Sequence, residues 1–319
     1  MTAVYLTIDT EYAAGLAARG RAENFARSIA CETPSGPAGL FYKMRLMDRH
    51  GIKGVFFVDP MPALLWGRAA IADVVEPIVA AGHDVQLHCH TEWLELAGAA
   101  NPFGKTGQNI ADFAFDEQCA ILSWARDTLV AAGAPPPVAF RAGNYGANDD
   151  TLRALAAIGL AYDSSHTPGI EGGASRISLT REDRLPARHC GVIEVPTGCI
   201  GTLGGGLRHA QVTAISTHEM LAAIRHARDH GAASFTLVSH SFELLCRERR
   251  RVNAVVRRRF EDLCRGIAAM PGVESATYAG RPPVACDTPD VHPPLPASAL
   301  REALRVAEQA VSNRLYGAR

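Results

Sequence analysis

The chain of 319 residues lacks an excess of charge of either sign, since 32 Lys and Arg face 33 Asp and Glu and the formal net charge is −1. A balanced charge creates no global field toward nucleic acid or an anionic membrane, so a polyanion site would have to be local. No run approaches the roughly 18 apolar residues that a membrane span needs, and the chain does not open with a signal-peptide pattern. We therefore expect no nucleic-acid partner, no membrane span and a cytoplasmic location.

Cysteine is scarce and scattered. The eight cysteines include no C-x-x-C pair and no dense framework, which favours reduced thiols in a cytoplasm over a disulfide scaffold. The sequence does provide apolar residues for a core, because 47% of its residues are hydrophobic and only 20% are charged. That composition is typical of a folded globular protein.

Short apolar runs bounded by turn residues alternate with segments of helical period, which predicts repeated β-α units and a parallel sheet. The predicted strands are Val4–Asp9, Gly54–Val58, Asp84–His88, Val138–Arg141, Leu160–Asp163, Val192–Pro196, Phe235–His240 and Ser275–Ala279. The predicted helices are Leu40–His50, Ile71–Ala81, Asp112–Ala132, Asp149–Ile158, Thr217–His230 and a long one within Glu243–Met270. This number of units indicates a β/α barrel.

Polar residues fall at the ends of the predicted strands. Parallel β/α folds carry their active sites at the carboxyl ends of their strands, so polar residues that share those positions indicate one site. Six residues lie at or just past such ends: Asp9, Asp59, His88, Arg141, Asp163 and His240.

Two of the strand ends carry paired ligand-type side chains. Asp9 and Glu11 stand two residues apart, and so do His88 and His90, which places each pair on one side of an extended chain. Two carboxylates repel unless a cation or an arginine compensates them, although a capped turn with a solvated pair is the alternative. Two imidazoles and a carboxylate suit Zn²⁺ or a similar divalent metal, and Glu92 continues the same face. Cys89 points the other way and is expected to be a buried thiol.

The order of these motifs resembles the polysaccharide deacetylase family, the NodB-homology or carbohydrate esterase family 4 group, over roughly residues 3–280. Thr7-Ile8-Asp9-Thr10 is similar to the family's T-F-D-D, with Glu11 in place of the second, metal-binding Asp. His88-Cys89-His90-Thr91-Glu92 aligns with H-[S/T]-x-x-H, so that Glu92 stands where the second His is expected.

Three further segments continue the resemblance in the same order. Arg141-Ala142-Gly143-Asn144-Tyr145-Gly146 resembles the family's Arg-Pro-Pro-Tyr-Gly segment without its prolines and with one more residue. Asp163-Ser164-Ser165 resembles Asp-x-Ser, and Leu237-Val238-Ser239-His240 resembles the closing Leu-x-x-His.

The resemblance implies a distorted (β/α) barrel with about seven parallel strands and a metal-dependent hydrolase that removes an acetyl group from an acetylated sugar or glycan precursor. It implies a divalent metal, with Zn²⁺ preferred, bound by Glu11, His88 and a third ligand that is either His90, which we prefer, or Glu92. The alternatives are a small-amide hydrolase on the same scaffold and a non-catalytic, metal-retaining protein that binds glycan or polyanion.

The same resemblance assigns roles to the other site residues. Asp9 is the expected general base and His240 the general acid. Arg141 is expected to keep Asp9 ionised and oriented, and Asp163 to fix Arg141 or His240 in turn. The backbone N–H of Tyr145 is the expected donor to an oxyanion.

The C-terminal region differs from the predicted barrel of residues 1–280. Prolines mark residues 281–297 as a linker, and residues 298–319 contain a helix over Ser298–Leu315. Its apolar stripe is expected to dock on the barrel, with a homo-oligomer contact as the alternative: Leu300, Leu304, Ala307, Val311 and Leu315. Seven arginines between Arg247 and Arg259 predict the solvated face of a helix, or alternatively a docking surface for an anionic glycan, lipid headgroup or nucleic acid.

Overall fold

A computed structural model describes residues 1–286 and 292–317 of the chain. Residues 287–291 of the predicted linker and 318–319 of the predicted helical segment lie outside the described residues. The strands are β1 (Thr2–Thr10), β2 (Val55–Val58), β3 (Asp84–Cys89), β4 (Ala139–Ala142), β5 (Tyr162–Asp163), β6 (Ala187–His189), β7 (Val192–Glu194), β8 (Cys199–Gly201), β9 (Leu207–His209), β10 (Ser234–His240) and β11 (Val273–Ser275).

The α-helices alternate with these strands through most of the chain. They are α1 (Arg21–Asn24), α2 (Leu40–Arg49), α3 (Ala63–Trp66), α4 (Arg68–Ala80), α5 (Trp93–Ala97), α6 (Phe115–Ala131), α7 (Asp149–Ala157), α8 (Thr217–Asp229), α9 (Ala254–Ala268) and α10 (Ala299–Tyr316). None of the described helices combines the length and the apolar character that crossing a bilayer requires.

One curved sheet organises the fold. Its strand order is β10-β1-β2-β3-β4-β5-β7-β6, and β11 pairs with the beginning of β1. Every pair in this sheet is parallel except β6 with β7. The predicted distorted barrel with about seven parallel strands is therefore confirmed.

The central strands of the sheet are buried on both faces, as is typical of a parallel sheet covered by helices. All nine residues of β1 and all four of β2 are buried. One side packs against the surrounding helices, while a smaller cluster that includes Tyr5, Phe57 and Tyr278 fills the interior. Parallel pairing brings the carboxyl ends of β10, β1, β2, β3, β4, β5 and β7 to one rim.

The last predicted strand is misplaced. Ser275–Ala279 overlaps β11 only at Ser275, because the chain leaves the sheet there. Tyr278 instead lies buried against Tyr5 and Tyr162, with ring centroids 5.4 and 5.5 Å away. The apolar alternation of this segment serves interior packing and not strand pairing. The three short strands β6, β8 and β9 were not predicted.

The predicted docking of the C-terminal helix through its apolar stripe is wrong. Helix α10 forms, but Leu300, Leu304, Val311 and Leu315 are 71, 51, 52 and 54% exposed, and Ala307 is exposed as well. The opposite, polar face contacts the barrel.

Polar contacts hold that face of α10. The side chain of Arg305 pairs with Glu219 of α8 at 3.1 Å, and both side chains are buried. Glu308 pairs with the buried Arg259 of α9 at 2.8 Å, and Ser312 accepts a hydrogen bond from Asn253 at 2.9 Å. The barrel offers ionic partners at this position, which an apolar pattern in the helix cannot reveal.

Candidate active site

The strand register places the predicted polar residues side by side at the carboxyl rim. Asp9 is opposite His240 between β1 and β10, and His88 is opposite Arg141 between β3 and β4. Glu11 and His90 each follow the last residue of their strands by one position. The side chains of the four strands therefore converge on one concave surface.

Glu11, His88 and His90 form a compact cluster. Their ligand atoms all lie within 4.8 Å of one another. The Oε2 atom of Glu11 is 2.6 Å from Nε2 of His90 and 3.1 Å from Nε2 of His88. Glu92, the alternative third ligand, is not part of this cluster, and its carboxylate lies 3.8 Å from Nδ1 of His90.

The hydrogen bonds of the two imidazoles fit a cation in the cluster. Nδ1 of His88 lies 2.7 Å from the backbone carbonyl oxygen of Arg141 and must donate its proton there, so a neutral His88 presents the lone pair of Nε2 to Glu11. Two acceptors then face each other, and only a proton or a metal ion can join them. A histidine that donates its other ring N–H to a backbone carbonyl is the usual arrangement of a metal ligand. Nδ1 of His90 is buried without a hydrogen-bond partner among the described residues, although the Glu92 carboxylate lies 3.8 Å away.

The charges of the cluster depend on one another. Burial would raise the pKa of Glu11, but the charges and hydrogen bonds of His90 and His88 hold it well below its usual value. Burial would lower the pKa of His90, yet Glu11 raises it well above the ordinary value. A proton on His90 compensates Glu11 here, and a divalent cation would do the same with more charge.

Asp59 extends the acidic character of the site. It follows β2, and its Oδ1 accepts hydrogen bonds from the backbone N–H groups of Met61 at 3.0 Å and His90 at 3.4 Å. Its Oδ2 is buried without a partner among the described residues. Burial raises the pKa of Asp59 to about 6, although the charges of His90 and His88 oppose that change.

Asp9 is held by Arg141. The Nη1 atom of Arg141 donates to Asp9 Oδ1 at 2.6 Å and to the hydroxyl of Thr7 at 2.9 Å. The rest of the guanidinium donates to the backbone carbonyl and hydroxyl of Ser164, at 3.1 and 3.0 Å, and stacks over Phe57. Both members of the pair are buried, so Asp9 is fixed in one orientation beside the cluster.

His240 belongs to a polar network that the sequence did not suggest. Its Nδ1 lies 3.1 Å from Glu243, whose other oxygen accepts from Ser239 at 2.9 Å. The buried Lys43 of α2 donates to the Ser239 hydroxyl at 2.6 Å and to the His240 carbonyl at 2.5 Å. Nε2 of His240 lies 3.7 Å from Oδ2 of Asp9.

This network sets the ionisation of His240. Burial would lower its pKa, but the hydrogen bond and charge of Glu243, together with the charges of Asp9 and Glu11, raise it to about 9. Burial would raise the pKa of Glu243, yet His240 and Lys43 lower it to about 2. Burial lowers the pKa of Lys43 to about 8, against the charge of Glu243. His240 is consequently protonated near neutral pH.

Asp163 does not hold Arg141 or His240, contrary to expectation. Its carboxylate accepts hydrogen bonds from the hydroxyl and backbone N–H of Ser165, at 2.7 and 3.2 Å. The adjacent Glu194 on β7, which was not predicted, is also fully buried. Burial raises the pKa of both carboxyl groups, and the charge of Asp163 raises that of Glu194 further, well above its usual value.

Tyr145 lies in a tight turn directly after β4. Both Asn144 and Tyr145 adopt a left-handed backbone with φ of 56°. Gly143 is required before them, since a Cβ there would lie 2.7 Å from the ring of His90. The Tyr145 hydroxyl is buried without a partner among the described residues, and burial raises its pKa. Cys89 is buried as expected, and burial raises its pKa as well.

Neither a protein-family model nor a curated protein sequence matches the chain. Solved structures are similar to it. A protein from Mycobacterium smegmatis that is assigned to the polysaccharide deacetylases is 18% identical, with a TM-score of 0.56 over 90% of this chain and 94% of that one. The 4-alpha-glucanotransferase from Thermococcus litoralis is 9% identical, with a TM-score of 0.50 over 87% of this chain and 39% of that one.

A family 4 carbohydrate esterase from Streptomyces lividans, solved in complex with acetate, is also similar: it is 14% identical, with a TM-score of 0.44 over 90% of this chain and 98% of that one. At these identities it is the likeness to the Mycobacterium smegmatis protein that defines the fold. The chain has the distorted (β/α) barrel of the polysaccharide deacetylases.

Proposed function

We propose that the protein is a metal-dependent hydrolase that removes an acetyl group from an acetylated sugar or glycan precursor. The observation that carries this proposal is the arrangement at the barrel rim. Arg141 holds the carboxylate of Asp9, and Glu243 holds the imidazole of His240. Both groups lie beside a cluster of two imidazoles and a carboxylate. Hydrolysis of an acetyl group needs these three parts: a base, an acid and an electrophilic centre.

Glu11, His88 and His90 are the residues that would hold the metal, and their donor set favours Zn²⁺. When bound, the metal would polarise the acetyl carbonyl and lower the pKa of a water molecule. The three side chains leave coordination positions open, as a catalytic site requires.

Asp9 would accept the proton of the attacking water. Its ion pair with Arg141 orients the carboxylate through Oδ1 and leaves Oδ2 3.7 Å from Nε2 of His240. The water oxygen forms a bond to the acetyl carbon, and the bond from that carbon to the sugar nitrogen or oxygen breaks. His240 would deliver its proton to the departing amine or alcohol, so that acetate and the deacetylated sugar are formed.

The turn after β4 would stabilise the charge that develops on the carbonyl oxygen. Asn144 and Tyr145 adopt a left-handed backbone in this turn, which directly follows the strand that carries Arg141. We assign the oxyanion contact to the backbone N–H of Tyr145, since a fixed N–H at such a position costs no reorganisation during the reaction.

The fold by itself does not choose the reaction. One structural neighbour is assigned to the polysaccharide deacetylases, but another is a glucanotransferase, and one fold commonly hosts several chemistries. The residues at the rim therefore carry the proposal, and the likeness to the deacetylase supports it.

Acetate release is the direct test. The zinc-loaded protein is incubated with N-acetylhexosamines, their nucleotide-linked forms, short N-acetylated oligosaccharides and O-acetylated sugars, and acetate is quantified. We expect acetate from at least one of these classes, and loss of release after chelation with recovery on addition of zinc. Ammonia or a ring-opened product from a cyclic amide, without acetate from any sugar, would favour the small-amide hydrolase instead.

Metal analysis tests the ligands independently of turnover. His88→Ala should strongly reduce the bound zinc per chain measured by elemental analysis, because two of three ligands cannot hold the ion tightly. Glu95→Gln, at an exposed position on α5, is the matched control. Unchanged stoichiometry in His88→Ala would contradict the site, and metal retained in His90→Ala but lost in Glu92→Ala would transfer the third ligand to Glu92.

A further inference from the structure

Arg249 lies at the entrance of the candidate active site. Between β10 and α9 the chain forms a narrow turn closed by hydrogen bonds from Cys246 N to Arg251 O at 2.8 Å and from Arg249 N to Cys246 O at 2.9 Å. Arg249 adopts a left-handed backbone in this turn, with φ of 54°. The neighbouring Arg250 is exposed, whereas Arg249 is half-buried and lines the same cavity as Glu11, His90 and other site residues.

The guanidinium of Arg249 is fixed from two sides. It stacks over the ring of Phe242, with 3.9 Å from its central carbon to the ring centroid. Its Nη1 atom donates to the hydroxyl of Ser28 at 3.0 Å, and that hydroxyl in turn donates to Asn24. The same Phe242 ring also lies 5.5 Å from the ring of His240, the proposed general acid. The side chain is thus held in place beside the cavity that it lines together with Glu11 and His90.

This cation has no acidic partner in the described part of the chain. Arg141 in the same site pairs with Asp9, but no carboxylate of the described residues lies within ion-pair distance of Arg249. Burial lowers the pKa of Arg249, opposed by Cys31 and Glu11, yet a guanidinium stays charged at any physiological pH. A half-buried, pre-positioned and unpaired cation has lost hydration without gaining an ion pair, which an anionic ligand would restore.

We propose that Arg249 binds an oxyanion carried by the acetylated sugar, so that the substrate bears a phosphate or carboxylate group near its acetyl group. This inference rests on the proposed function and names its substrate class. The planar fork of an arginine matches either oxyanion through two parallel hydrogen bonds. The metal would compensate Glu11, which leaves the charge of Arg249 available at the entrance.

Substrate preference in matched variants tests the proposal. Acetate release is measured for N-acetylglucosamine, N-acetylglucosamine 1-phosphate, UDP-N-acetylglucosamine and N-acetylmuramic acid with the parent protein, Arg249→Gln and the exposed control Arg250→Gln. We expect Arg249→Gln to lower the ratio of anionic to neutral kcat/KM by about tenfold to a hundredfold, chiefly through KM, because a charge-assisted pair is lost. Arg250→Gln should keep the parental ratio, and Arg249→Lys should give an intermediate one.

A binding measurement separates this inference from the proposed function. Glucose 1-phosphate, glucuronate and glucose carry no acetyl group, so their binding by calorimetry is independent of turnover. Weaker binding of the phosphate or the carboxylate sugar in Arg249→Gln supports the inference even if no acetate is ever released, and the stronger of the two identifies the oxyanion. Acetate release with a parental ratio in both Arg249 variants, and anionic binding unchanged, would overturn the inference and leave the deacetylase function standing.

Discussion

Replacing Glu243 with Gln should move the pH dependence of catalysis without removing any proposed catalytic group. Glu243 raises the pKa of His240 through a 3.1 Å contact and a full charge, and Gln keeps the size of the side chain but not that charge. If His240 is the general acid, kcat/KM falls above its pKa, because only the imidazolium has a proton to donate.

The structure sets the expected size of this change. An opposite charge within hydrogen-bond distance changes a neighbour's pKa by about 1 to 3 pH units. If the pKa of His240 falls by about two pH units from its value of about 9, its protonated fraction at pH 8 falls from about 90% to about 10%. Turnover at pH 8 should therefore fall about tenfold, while turnover near pH 6 changes little. Asp9, Glu11 and Lys43 are the other charged groups that act on this network.

The assay is a pH profile of kcat/KM combined with an NMR titration of the His240 ring nitrogens. Glu248→Gln, at an exposed position five residues before Asn253, is the control and should keep the parental profile. If the pKa of His240 falls but the decline of kcat/KM at high pH stays where it is in the parent protein, His240 is not the acid. An unmoved pKa of His240 in a folded Glu243→Gln protein would refute the role of Glu243.

The contact between His240 and Glu243 should also change how the free energy of unfolding depends on pH. The pKa of His240 is raised in the folded state to about 9, above the value of about 6.5 in an unfolded chain. The contribution of this contact to the free energy of unfolding is therefore complete below about pH 6.5 and is lost as the pH rises through about 9. The free energy of unfolding of the parent protein should decline more steeply across this window than that of Glu243→Gln.

Two further predictions concern the base and the C-terminal helix. Asp9→Asn removes the base but keeps its shape, so acetate release should fall by about 10² to 10⁴ with unchanged metal content, and near-parental turnover would contradict the role. Arg305→Ala leaves the buried carboxylate of Glu219 without its cation and should cost about 3 to 5 kcal/mol in chemical unfolding. Leu304→Ser, at an exposed position, should cost less than about 0.5 kcal/mol. If α10 instead mediates a homo-oligomer, Leu304→Ser should dissociate it, as measured by light scattering. The same molecular mass for the parent protein and for Leu304→Ser would contradict that contact.

The order of strands and helices could be predicted from the sequence because a buried parallel sheet leaves a strong local pattern. Val55–Val58 is a short apolar run, and in Asp84–Cys89 the apolar Val85, Leu87 and Cys89 alternate with polar residues. The short strands of the region 187–209 were missed because segments of three residues give no period. Ser275–Ala279 was misplaced because interior packing and strand pairing produce the same alternation of apolar residues.

The partners of the site residues could not be predicted in the same way. Glu243 follows His240 by three residues, a spacing typical of a helix, and the loop that brings the two side chains together is set by the turn after β10. Lys43 lies in the helical pattern of α2, where a lysine is normally solvated, but the structure buries it beneath Ser239. The first contact depends on the conformation of the turn after β10, and the second joins distant residues through tertiary packing. Neither leaves a periodic pattern in its segment.

The sequence differs from the family motifs at two positions: Glu11 replaces the second Asp, and Glu92 stands where the second His is expected. The sheet order explains why these two differences are compatible. Asp9 and Glu11 on one strand, and His88 and His90 on another, are both spaced by two, so each pair stays on one side of an extended chain. Position 92, which Glu92 occupies, lies beyond the extended segment and directly before the helix that begins at Trp93. Strand β2 lies between the two strands that carry these pairs, and the buried Asp59 after it accepts a hydrogen bond from the backbone N–H of His90. Glu11 and His90 therefore meet across β2 because both extend one residue beyond their strands, a relation that depends on the pairing of the strands and not on either motif alone.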